Sequence, residues 1–170
     1  LSARGTFGNV EISGDTISLN SGYTGYFNVA HYADNPKNID ASAVVTSIEI
    51  HGDNNDNVIK ASKGGGNIYS GEGNDTIYCG KGEDVLLYYK KDYGNKVVYN
   101  FKSDDGIRLD TWNDKQFDNI SISGNDVILN TNAGTITLRD AKQQSIYIYD
   151  SDLLSARGTF GNVEISGDTI

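Results

Sequence analysis

Residues Ser70–Leu87 read SGEGNDTIYCGKGEDVLL, which is two nine-residue units in one register. Gly71 and Gly73, then Asp75 and Ile77, recur in the second unit as Gly80, Gly82, Asp84 and Leu86. This pattern leaves few folds open. Glycine lets the backbone turn sharply through φ > 0, and each unit ends in β-formers with an aliphatic side chain pointing one way. Turn, short strand, turn and short strand close one coil in the 18 residues from Ser70 to Leu87. Ile77 and Leu86 then lie on opposite walls of a flattened right-handed coil and meet in a thin core. The turns stack on both flanks, and each Asp lies above the residue two units earlier.

A column of carboxylates repels itself unless a cation intervenes. Turn carbonyls already point into the gap between coils, and carboxylate plus carbonyl oxygen at about 2.3–2.6 Å is Ca²⁺ chemistry. The two preceding units refine the expectation. His51–Ile59 (HGDNNDNVI) keeps Gly52, Asp56 and Val58, and one extra residue, Lys60, follows it. Ala61–Tyr69 (ASKGGGNIY) keeps Gly64 and Ile68 but has Gly66 in place of Asp. Asp56 is therefore expected to stack on Asp75, giving one Ca²⁺ site between the loops His51–Asp56 and Ser70–Asp75. Gly66 is expected to stack on Asp84, giving a weaker second site between Ala61–Gly66 and Cys79–Asp84. The carboxylates of Asp56, Asp75 and Asp84 are the expected ligands. Asp53, Ser70, Glu72, Gly73, Cys79, Lys81 and Gly82 are expected to contribute mainly through loop carbonyls. Asp92 and Asn95 lie where the column would continue, but Lys90 and Lys91 would oppose a cation there. The alternative is a metal-free coil whose Asp and Asn side chains cap turns through local hydrogen bonds.

SGEGNDTIY and CGKGEDVLL resemble the RTX, or haemolysin-type, calcium-binding repeats, whose unit is G-G-x-G-x-D-x-U-x and whose motif is a parallel β-roll. The stretch Tyr88–Asp110 is similar to strands that close such rolls. The resemblance implies secretion from a bacterium and folding on meeting extracellular calcium. It covers the centre of the chain only.

A second repeat works at a longer scale. Leu1–Ile17 and Leu154–Ile170 are the same 17 residues, LSARGTFGNVEISGDTI. Residues 1–153 then form one full tandem repeat and residues 154–170 the start of the next, unless the end was duplicated by engineering. Repeat arrays need a neighbour to cover an exposed end. Asn9–Gly22 and Asn119–Gly134 each read as strand, tight Gly-containing turn and strand, which is a hairpin signal. The expected fold is all-β, with a right-handed parallel β-roll or β-solenoid core at about residues 51–100 flanked by antiparallel hairpins.

Composition bears on partners. A formal charge of −9 suits cations and solubility and argues against nucleic acid, which needs clustered Lys and Arg. No apolar run approaches the ~18 residues of a membrane span; no secretory signal peptide is read in these residues, and because the sequence starts mid-pattern, as an excised piece would, this says nothing about the parent protein. A single Cys excludes an internal disulfide. His31 and His51 lack zinc-ligand spacing, Gly80-Lys81-Gly82 lacks the rest of a phosphate loop, and Gly-x-Ser-x-Gly is absent. Asn74-Asp75-Thr76 and Asn119-Ile120-Ser121 are formal glycosylation sequons, read as chance. Tyrosines gather at Tyr23, Tyr26 and Tyr32, at Tyr88, Tyr89, Tyr93 and Tyr99, and at Tyr147 and Tyr149. Such rings bind a glycan or protein partner, or pack on a half-buried sheet.

The expectation is a non-enzymatic, calcium-stabilised structural module of a long secreted tandem-repeat bacterial protein, adhesin- or stalk-like, at the cell surface or outside the cell. Its expected partners are calcium and neighbouring repeats. The alternatives are a polysaccharide- or receptor-binding module using a Tyr-rich face, and a self-processing or carbohydrate-active enzyme. Some relatives self-cleave at Asp-Pro, a bond absent here because the only Pro follows Asn35.

Overall fold

The computed structural model describes residues 4–32, 36–89, 92–110, 117–131, 133–150, 158–160 and 163–165. The strands are β1 (Arg4–Phe7), β2 (Val10–Ser13), β3 (Thr16–Leu19), β4 (Gly25–Asn28), β5 (Asn38–Asp40), β6 (Ile48–His51), β7 (Val58–Lys60), β8 (Gly66–Tyr69) and β9 (Thr76–Tyr78). They continue as β10 (Asp84–Tyr89), β11 (Lys96–Tyr99), β12 (Gly106–Asp110), β13 (Phe117–Ser123), β14 (Asp126–Thr131), β15 (Gly134–Leu138), β16 (Tyr147–Asp150), β17 (Gly158–Phe160) and β18 (Val163–Ile165). Two short 3-10 turns, Val29–His31 and Ala141–Gln143, interrupt the loops.

Strands β1 to β16 form two facing sheets of a parallel β-solenoid, and β17 and β18 pair with each other apart from these. The first sheet runs β1-β2-β3-β5-β7-β9-β11-β15-β14-β13 and the second β16-β12-β10-β8-β6-β4. From β3 to β12 successive strands alternate between the two sheets, as a coil requires. The nonapeptide period survives where the motif is intact. Val58 pairs with Thr76, and Gly66 with Asp84, each 18 residues on. The next coil is longer, since Thr76 pairs with Val97. Parallel pairing is also wider than residues 51–100. It spans β3 to β15 in the first sheet and β4 to β16 in the second.

Antiparallel hairpins extend only the first sheet, at both ends. Ser13 faces Thr16 across the Gly14-Asp15 turn, and Ser123 faces Asp126 across Gly124-Asn125. Two-residue turns with φ > 0 suit the twist of a hairpin, and Gly14 and Gly124 have φ of +59° and +64°.

The core is a stack of aliphatic columns. Ile17, Ile39, Ile59, Ile77, Val98 and Leu138 line one wall in register. Phe27, Ile50, Ile68, Leu86, Ile107 and Ile148 line the other. All twelve are buried. Burying each such side chain is worth about 1.5–3 kcal/mol, so this double column is the main source of stability.

Coils stack closely only where no Cβ intervenes. A Cβ on Gly80 would lie 1.9 Å from the Ser62 carbonyl oxygen, and one on Gly71, at φ +86°, would lie 2.2 Å from that of Asp53. This is the steric reason for the glycines of the motif.

The register corrects one expectation. Ile59, not Val58, points into the core and pairs with Ile77. Lys60 is therefore not an insertion. It is the last residue of a unit that begins one place later, and Asn57, not Asp56, falls at the position of Asp75. Burial decides this, because a one-residue slip turns every side chain to the other face.

The repeated sequence builds the same hairpin twice. Gly158 pairs with Ile165 and Phe160 with Val163, as Gly5 pairs with Ile12 and Phe7 with Val10. In its second occurrence the hairpin places β18 against β16, the last strand of the second sheet. The loop at 33–35, the connection at 111–116, Lys90 and Lys91 lie outside the described residues.

Candidate functional site

The turns form two columns. On the first flank they lead into the first sheet, at residues 52–57, 70–75 and 92–96. On the second they leave it, at 61–65, 79–83 and 100–105.

Asp75 dominates the first flank. It is 1 % exposed, because the turn folds its side chain back under the stacked loops. Its Oδ1 accepts the backbone N–H of Asn57, one coil earlier, at 2.8 Å. Its Oδ2 accepts the ammonium of Lys96, one coil later, at 2.8 Å. The same Nζ donates to the carbonyl oxygens of Gly71 at 2.6 Å and Gly73 at 2.7 Å. Lys96 is itself 1 % exposed. One carboxylate and two turn carbonyls thus converge on the ammonium of a lysine of the next coil. Burial pushes the Asp75 carboxyl above its usual range, with Lys96 acting against that rise.

Asp56 and Asp53, also expected as ligands of this flank, serve other bonds. Asp56 is exposed and accepts the N–H of Asn74 at 2.7 Å. The column continues, with Asn95 N–H on Asn74 Oδ1 at 3.1 Å and Thr135 N–H on Asn95 Oδ1 at 3.1 Å. Each side-chain carbonyl or carboxylate caps the backbone of the next coil, so Asn95 does extend the column. Asp53 closes its own loop, accepting Asn55 N–H at 2.9 Å and the Asn57 amide at 3.1 Å. Glu72 is half-buried, and Ser70 is fully buried. Asp56 and Asp75 are thus not brought to one point; they sit in adjacent columns.

On the second flank Gly66 does lie in register with Asp84. The carboxylate that Asp84 meets belongs to the coil after it. Asp84 N–H donates to Asp105 Oδ1 at 2.9 Å, and Asp84 Oδ2 accepts Gly80 N–H at 2.7 Å. Lys102 supplies the ammonium here. Its Nζ reaches Asp105 Oδ1 at 2.5 Å, Gly82 O at 2.7 Å and Asp104 Oδ1 at 3.1 Å. Burial works against its charge, but the bonds to Asp105 and Asp104 raise its pKa overall. The Gly82 carbonyl thus accepts from a lysine. Lys81 points to solvent. Burial pushes the Asp84 carboxyl up to about 7, and the Asp105 charge adds to this. Cys79 is buried beside them, and burial pushes its thiol up as well.

The tyrosines form ladders on the outer faces. Tyr69 is stacked between His51 at 4.2 Å and Tyr89 at 5.5 Å, and Tyr26 meets His51 at 4.8 Å. Tyr78 stacks on Tyr99 at 4.9 Å. Rings one rung apart cover each other, so Tyr69 offers no free face to a sugar. His51 also contacts Glu49 at 2.6 Å.

In comparisons with known proteins, no family model matches the chain, and no curated protein and no solved structure matches it. Among the described residues no helix is long and apolar enough to cross a membrane.

Sequence reasoning missed Lys96 and Lys102, although a signal exists. Asn95–Tyr99 (NKVVY) aligns with Asn74–Tyr78 (NDTIY), with Lys in the place of Asp. The longer coil between them hides the match.

Proposed function

We propose that this chain is a non-enzymatic structural module: a stiff β-solenoid segment of a tandem-repeat protein, whose turn columns carry their own cations. The observation that carries this reading is the recurrence of the β1–β2 hairpin as β17–β18 beside β16. One repeat ends where the next begins, against the open edge of the second sheet, and an edge is where further chain is added. A secreted, bacterial adhesin or stalk is the setting that the nonapeptide resemblance suggests for such a module.

The buried Lys96–Asp75 pair favours a roll that folds without calcium. A second reading, calcium stabilisation, is favoured by Asp53, Asp56 and Glu72, acids of one turn column in a chain of net charge −9. Small-angle scattering on chains of one, two and three repeats tests the spacer. Strands sit about 4.8 Å apart, so six strands in one sheet and ten in the other predict about 30–50 Å of added length per repeat. Growth of the radius of gyration as for a flexible chain would overturn the reading. Thermal melts in chelator and in calcium decide between the two readings. Unchanged melting supports the internal cations, and a calcium-dependent rise in Tm supports the second reading.

A further inference from the structure

Of the buried turn carboxylates, Asp75 and Asp105 each contact an ammonium, Lys96 and Lys102 respectively. Asp84 does not. One of its oxygens takes Gly80 N–H; the other, Oδ1, is buried with no hydrogen-bond partner, in a residue that is 0 % exposed. An orphaned carboxylate oxygen at that depth is costly. Ligand atoms of Cys79, Asp84 and Asp105 lie within 4.8 Å of one another, all three residues being buried.

We propose that Cys79, Asp84 and Asp105 form a binding site for a borderline-soft divalent metal ion of the zinc class. Three considerations select that class. The first is geometry. A tetrahedral ion with bonds of about 2.0–2.3 Å holds its ligands about 3.3–3.8 Å apart. The three side chains need to close by about 1.5 Å at most, and water or a turn carbonyl completes the set. The second is ligand type. A thiolate with two carboxylates suits zinc, cobalt or cadmium, whereas calcium requires six to eight oxygens and gains little from sulfur. The third is charge. A Cys79 thiolate and two carboxylates carry three negative charges, and Lys102 brings one positive charge into contact with Asp105. A divalent ion makes the buried cluster neutral, which is the condition for burying charge cheaply. The ion enters from the open groove in whose wall Cys79 lies, together with Gly80 and Asn100. On binding, the thiol proton leaves to solvent and the ion takes its place on sulfur.

This site is independent of the array reading and of calcium in the first flank. The test uses the reduced, metal-stripped chain titrated with Co²⁺ and followed by absorption. The expected result is one equivalent of Co²⁺ with a thiolate-to-cobalt charge-transfer band, bleached by Zn²⁺ and unaffected by excess Ca²⁺. Cys79→Ser abolishes the band, and Asp84→Asn weakens Co²⁺ binding at least about tenfold, with far-UV circular dichroism showing both variants folded. Absence of the band in the unsubstituted chain overturns the proposal without reference to any variant. Equal Co²⁺ affinity in Cys79→Ser also overturns it, because the ion then sits on the acidic surface.

Discussion

Replacing Lys96 by Met is the sharpest perturbation of the first flank. Methionine keeps most of the apolar stem and removes the ammonium, so packing changes little. What remains is Asp75, fully buried, with its Oδ2 unpaired, and the carbonyls of Gly71 and Gly73 without their donor. Breaking a buried pair by deleting one partner costs about 3–5 kcal/mol. Domain stability is typically about 5–15 kcal/mol, so the loss is a large fraction of it. Urea denaturation in chelator, followed by circular dichroism, reads this directly as a lower midpoint at unchanged slope. Adding Asp75→Asn to Lys96→Met removes the stranded charge and is expected to recover more than half of the loss. Lys96→Ala leaves space beside one carboxylate and two carbonyls, which is a hard-cation ligand set. Calcium is expected to raise the Tm of Lys96→Ala well above its effect on the unsubstituted chain, because a ligand that binds only the folded state stabilises it by mass action. A cost below about 1 kcal/mol for Lys96→Met would refute the reasoning, since it would mean that the ammonium is not the cation that the turns require.

Two further outcomes follow from the stacked coils and the buried acids. Gly80→Ala places a Cβ 1.9 Å from the Ser62 carbonyl oxygen and is expected to lower stability by several kcal/mol or prevent folding, whereas Gly14→Ala, at φ +59° in open space, costs only about 1–2 kcal/mol; thermal melts of the two variants check the contrast. Asp92 has its carboxyl raised, by burial first, against the hydrogen bond it accepts from Tyr89 N–H and the charge of Lys96. A raised carboxyl favours the folded state while protonated, so its contribution is full below the unfolded value near 3.9 and is lost as pH rises through the folded value; Asp92→Asn is expected to flatten that part of the pH–stability profile, and an unchanged slope would show that Asp92 is not its source.

Much of this protein is decided locally. Gly71, Gly73, Gly80 and Gly82 set tight turns, Ile77 and Leu86 mark alternate walls, and Gly14-Asp15 and Gly124-Asn125 close hairpins. Each of these follows from backbone sterics and side-chain alternation within a few residues, and each is legible in the sequence. Three things depend on contacts between coils, which no short stretch specifies. Asn57 rather than Asp56 faces Asp75, because burial of Ile59 sets the register of β7. The roll reaches from β3 to β16, because coils that have lost the glycine motif still stack their aliphatic columns. The cations at Asp75 and Asp105 are Lys96 and Lys102, because the coil that follows the nonapeptides is three residues longer and returns its lysines to the positions over those turns. Sequence alone determines the tight turns and the alternation of core side chains; only the stacking of the coils decides that Lys96 and Lys102 lie against Asp75 and Asp105.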